Sequence, residues 1–101
     1  MSVRDARWED RTFVLAEVSK DGLALEHASP ALKGDKEVVL AAVSQNGHAL
    51  EHASHALKGT KEVVRAAVSK DGSALEHASQ ALQAAVKRGL LDPFSMEELK
   101  I

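Results

Sequence analysis

The chain repeats itself every 25 residues, and this limits its fold more than any motif does. Residues 10–34, 35–59 and 60–84 are three consecutive copies, with 17 of 25 positions identical between the first and second and 17 again between the second and third. The string Ala-Leu-Glu-His-Ala-Ser occupies Ala24 to Ser29, Ala49 to Ser54 and Ala74 to Ser79, and Val-Ser-x-x-Gly begins at Val18, Val43 and Val68. A period in this range marks arrays in which each copy is one small unit that can bury its apolar face only against its neighbours.

Punctuation divides each copy into helices. Asp10, Asp35 and Thr60 open the copies as N-caps, each offering a side-chain oxygen to a first-turn amide. Glu37 follows in the first turn of the second copy, where the helix dipole favours a carboxylate. The helix should stop at Asp21-Gly22, Asn46-Gly47 and Asp71-Gly72, where the pattern predicts a left-handed glycine at the C-terminus. A hairpin is the competing reading of these pairs, but the flanks are alanine-rich and do not alternate. A second, shorter helix is predicted near residues 48–53. Ser29, Ser54 and Ser79 then cap one further turn ending near Lys33 and Lys58, and Pro30 suits its first helical position. Isolated helices of about 12 to 15 residues are already marginal in water, so helices this short depend on neighbours.

Val38, Val39, Ala41, Ala42 and Val43 wrap most of the first helix, which predicts a spine buried on more than one side. Leu50, Ala53 and Leu57 supply the inward stripe of the second segment. Glu17 stands where later copies have Ala42 and Ala67, as expected if that position faces a preceding copy. The end of the third copy departs from the pattern: Ser79 to Gly89 reads as a longer amphipathic helix with Lys87 and Arg88 in its last turn. Leu90, Leu91 and Phe94 are expected to cover the last repeat, Asp92-Pro93 to turn the chain, and Ser95-Met96-Glu97-Glu98 to open a final short helix through a capping box. The expected fold is all-α: one domain over residues 1–101, with three tandem 25-residue helical repeats stacked as a short solenoid and a C-terminal cap at residues 85–101.

The phrases Asp35-Lys36-Glu37-Val38-Val39-Leu40-Ala41-Ala42-Val43 and Asn46-Gly47-x-Ala49-Leu50-x-x-Ala53-Ser54 resemble the tandem repeats known as domain of unknown function 4116. The resemblance runs from residue 10 to about residue 83. It implies a helical repeat and carries no activity, cofactor or catalytic residue with it. Where relatives often have tyrosine before the Ala-Ser pair, this chain has His27, His52 and His77.

Composition removes several functional classes. Thirteen basic and 15 acidic side chains give a net charge of -2, which leaves no cationic excess to release counterions from a phosphate backbone, so no nucleic-acid partner is expected. The absence of cysteine excludes disulfides, thiolate nucleophiles and Cys-ligated metal. Trp8, Phe13 and Phe94 are too few to build a stacking platform. No apolar run approaches the roughly 20 residues of a membrane span, so no membrane partner is expected, and the start of the chain has no hydrophobic signal segment. A cytoplasmic location is the expectation.

His27, His52 and His77 should form a row, one per copy and about 8 to 10 Å apart, which is too far for a single zinc with ligands at about 2.0 to 2.1 Å. Their expected role is structural: each imidazole replaces a partly buried aromatic among alanines. His48, His52 and His55 have a spacing that places imidazoles on one helix face in known metal sites. Yet His48 aligns with Leu23 and Ser73, and His55 with Pro30 and Gln80, as exposed, freely varying positions would. No metal and no other cofactor is expected. Glu26-His27, Glu51-His52 and Glu76-His77 diverge by about 100° on a helix, and Ser54-His55 is explained by capping, so no catalytic residue is assigned. Glu26, Glu51 and Glu76 read as a solvated ladder; with His48 and His55 they are the candidate partner-binding residues. The expected function is a non-enzymatic protein-interaction or scaffolding module, with a histidine-dependent metal-binding or pH-sensing module as the alternative.

Overall fold

The computed structural model describes residues 6–91. The expectations for Asp92-Pro93, Phe94 and the helix from Ser95 lie outside the described residues.

Every described element is a helix, and a fixed order recurs. After a 3-10 helix η1 (Ala6–Glu9) come α1 (Arg11–Lys20), η2 (Gly22–His27) and α2 (Pro30–Lys33), then α3 (Lys36–Gln45), η3 (Gly47–His52) and α4 (His55–Lys58). The third copy supplies α5 (Lys61–Lys70), η4 (Gly72–His77) and α6 (Gln80–Lys87). None of these helices is long and apolar enough to cross a membrane.

The caps explain most of the boundaries. Asp10 accepts from the amides of Thr12 and Phe13, at 2.9 and 3.4 Å, and Asp35 from those of Glu37 and Val38, at 3.0 and 3.2 Å. Thr60 corrects the expectation. It makes no side-chain cap bond, because its hydroxyl donates instead to the carbonyl of Ala56 at 3.1 Å. Ser29, Ser54 and Ser79 cap α2, α4 and α6 by accepting from the amides of Leu32, Leu57 and Leu82. Pro30 occupies the first turn of α2, where its missing N–H leaves no helix bond unmade.

The glycines after each long helix also correct the expectation. Asp21, Asn46 and Asp71 are extended, and their side chains accept from Leu23, His48 and Ser73 to start the 3-10 segments. Among the described residues Gly89, at φ 75°, is the glycine with left-handed backbone. Gly22 and Gly47 are required for close approach instead. A Cβ on Gly47 would stand 2.5 Å from the carbonyl oxygen of Ala67, and one on Gly22 would clash still harder with that of Ala42.

Packing follows the sequence register. α1 lies against α3 and α3 against α5, while η2 meets η3 and η3 meets η4. Val14, Val18, Leu25, Val38, Val39, Val43, Leu50, Val63 and Val64 are completely buried at these contacts. Ala42 and Ala67 are also fully buried, whereas the side chain of Glu17 keeps 34% exposure. That position does face the preceding copy, since the Ala42 and Ala67 carbonyls are what Gly22 and Gly47 approach.

Backbone bonds join the copies too. The amides of Ser54 and Ser79 donate to the carbonyls of Lys33 and Lys58, both at 2.9 Å, and that of Ser29 donates to Trp8 at 3.0 Å. Trp8 lies one period before Lys33, so η1 takes the place that α2 and α4 hold for the later copies. Its indole meets Phe13 edge-on, with centroids 5.2 Å apart, and Arg7 lies 4.9 Å over the Phe13 ring. At the other end Leu91 is buried, but Leu90, expected to help cover the last repeat, is 49% exposed.

Candidate functional site

The 3-10 segments carry the candidate residues. Each turn of three residues buries Leu25 or Leu50 and turns the following glutamate outward. Glu26, Glu51 and Glu76 are all exposed. Because η2, η3 and η4 pack side by side, these three carboxylates occupy matching places on neighbouring segments. The histidine beside each one differs in setting. His27 is exposed and tilted against Trp8 with centroids 5.2 Å apart; His52 and His77 are half-buried. His52 Nε2 lies 4.0 Å from Glu26 Oε2 of the preceding copy.

His48 is not the free surface residue that its variability suggests. It reaches from η3 into the third copy, where Nε2 is 2.7 Å from Asp71 Oδ2 and 3.2 Å from Ser73 Oγ. Its Nδ1 is 3.2 Å from His77 Nε2, and the two rings meet at 75°. Asp71 also accepts from the hydroxyl of Ser73, at 2.8 Å, and from its amide, at 3.0 Å. These Ser73 bonds, with the nearby His48, hold the Asp71 carboxyl below the usual carboxylate range. Glu76 Oε1 is 3.8 Å from His77 Nε2, and one ligand atom each from His48, Glu76 and His77 fall within 4.8 Å of one another.

His52 and His55 are not in that group. The spacing of four assumed an α-helix, but η3 has three residues per turn, so a residue four ahead leaves the face of His48. His55 is exposed on α4. The pairing of His48 with His77 was missed because the two are one period plus four residues apart. The repeat register together with the 3-10 geometry is the signal that would find it. At the preceding junction Leu23 and Asn46 occupy the places of His48 and Asp71, so the same cluster is not built there.

A different edge carries ion pairs between copies. Arg11 Nε is 2.7 Å from Asp35 Oδ2 and its Nη2 is 3.1 Å from Glu37 Oε1, while Lys36 Nζ lies 2.5 Å from Glu62 Oε1. Hydrogen bonding to Arg11 holds the pKa of Asp35 below the usual carboxylate range, and Lys36 does the same to Glu62. Apart from Asp35, whose side chain is a quarter exposed, these groups are well solvated, so each pair adds little to stability.

Neither the curated proteins nor the solved structures contain a match to the chain. A family model does match, over residues 35–83, which span the second copy and nearly all of the third. The family whose model matches these residues is described as a domain of unknown function, DUF4116.

Proposed function

We propose that the chain is a short solenoid of three stacked 25-residue repeats and that it serves as a non-enzymatic protein-interaction module. One observation carries this reading: Glu26, Glu51 and Glu76 are exposed at matching positions on 3-10 segments that pack side by side. Packed helical segments are spaced by about 8 to 10 Å. A peptide in the polyproline II conformation advances about 9 Å per three-residue turn and returns every third side chain to the same face, so a partner with a lysine or arginine at every third position meets the carboxylates in register. His55, exposed on α4, lies on the same copy as the central glutamate. Repeats suit extended partners, because each unit contributes one side chain at a regular interval.

A fluorescently labelled dodecapeptide of four Lys-Pro-Pro triplets, which favours polyproline II, tests the reading by anisotropy against the full chain. Binding should weaken with salt and fall in the triple variant Glu26→Gln, Glu51→Gln, Glu76→Gln. Binding that is absent, or that survives the three substitutions unchanged, overturns it.

A further inference from the structure

We infer that His48, His77 and Glu76 form a binding site for one late first-row divalent cation, with Zn²⁺ as the natural probe, at the junction of the second and third copies. The site shares Glu76 with the partner reading above but does not rest on that reading.

The distances fit the ion. Four ligands at about 2.0 to 2.1 Å in a tetrahedron stand about 3.3 Å from one another, and His48 Nδ1 and His77 Nε2 are 3.2 Å apart. Glu76 Oε1, at 3.8 Å from His77 Nε2 and with all three ligand atoms within 4.8 Å of one another, needs a shift of about half an ångström toward His77 and of up to about 1.5 Å toward His48 to close the triangle. Its side chain is 69% exposed and has room to make that shift. Two imidazoles and a carboxylate leave the fourth position to water, a donor set that suits zinc.

The surroundings orient the ligands. Asp71 Oδ2 accepts from His48 Nε2–H at 2.7 Å, which fixes the tautomer and leaves the Nδ1 lone pair facing His77. A carboxylate behind a histidine in this way aligns the ring and raises its basicity as a ligand. Ser73 in turn holds Asp71 through its hydroxyl and its amide. Without metal, His77 Nε2–H donates to His48 Nδ1. On binding, that proton would move to His77 Nδ1, so both imidazoles stay neutral, and the two rings would tilt so that their lone pairs converge on an ion off the line between the nitrogens, about 2.0 to 2.1 Å from each.

The chain provides its own controls. Leu23 occupies the position of His48 one copy earlier, and Asn46 occupies that of Asp71 while capping its 3-10 helix in the same manner. His48→Leu and Asp71→Asn therefore place side chains that this fold already accommodates. Zn²⁺ titration of the full chain by calorimetry should give one ion per chain. The His48→Leu variant should bind at least tenfold more weakly, Asp71→Asn about ten- to a hundredfold more weakly, and His55→Ala as the native chain does. In histidine ring NMR, Zn²⁺ should move the signals of His48 and His77 and leave those of His27, His52 and His55 in place. Undiminished affinity in either of the first two variants, weakened binding in His55→Ala, or equal shifts across all five histidines overturns the site.

Discussion

The junction between the first and second copies and the junction between the second and third share a backbone and differ in their side chains. Both have a serine amide donating to a lysine carbonyl or its equivalent, and both have a glycine pressed against an alanine carbonyl. At the first junction Gln45 accepts from the Gly22 amide at 2.6 Å, Asp35 caps α3, and Arg11 grips two carboxylates. At the second, Lys70 replaces Gln45 and has no acceptor to offer, Thr60 caps nothing, and Lys36 holds one carboxylate. In exchange the second junction gains the His48, Asp71, Ser73 and His77 cluster. Small residues and main-chain bonds therefore carry the packing, which frees the remaining positions to make one junction unlike the other.

The largest test asks whether the shared part is as equal as it looks. Ala42→Glu and Ala67→Glu each force a carboxylate between close-packed helices, at a cost of about 3 kcal/mol or more. Urea unfolding should show losses of similar size for the two variants, since both alanines are fully buried. A loss below about 1 kcal/mol for either would mean that the junction opens easily. Next come the glycines. Gly47→Ala should cost about 1 to 3 kcal/mol through overpacking, whereas Gly72→Ala, whose added Cβ meets nothing within 4 Å, should change thermal stability hardly at all. Equal effects at the two sites would assign the glycines to local backbone preference instead of close approach.

A smaller change sharpens the difference between the junctions. Thr60→Asp gives α5 the acceptor that α3 already has and should add about 1 kcal/mol in denaturant titration; an unchanged midpoint would show that the Ala56 bond of Thr60 is worth as much. The smallest effect is electrostatic. Arg11 and Lys36 depress the pKa values of Asp35 and Glu62 below their unfolded values, so the stability they confer is present above about pH 4 and is lost as pH falls through the folded values. Thermal midpoints should decline on acidification, and Arg11→Gln should flatten that limb more than Lys36→Gln does, because Asp35, at 25% side-chain exposure against 50% for Glu62, is the less screened of the two carboxylates. Identical profiles for the two variants would remove this distinction.

The helical units, their period and the serine caps are legible in the sequence because each rests on local chemistry. The reason for Gly22 and Gly47 is not, since a left-handed turn and a close approach demand the same residue. Nor is the 3-10 character of η2, η3 and η4: six residues hold too little apolar spacing to separate three residues per turn from 3.6. The segment η1 is not legible either, because Trp8 looks nothing like Lys33 and what it contributes is a carbonyl. The variability of the His48 position suggests exposure, although a variable position can still lie at a junction where only one copy has a partner for it.

The serine amides that reach back to Trp8, Lys33 and Lys58 make the length of this chain a quantised variable. Excising residues 35–59 would join Gly34 to Thr60 and bring Ser79 to the carbonyl of Lys33, so every main-chain link between neighbours would find an equivalent acceptor. Removing one residue more or fewer would shift the donor away from it. Excision of a whole unit would thus preserve the main-chain links, but it would also set His77 opposite Leu23 and erase the histidine cluster.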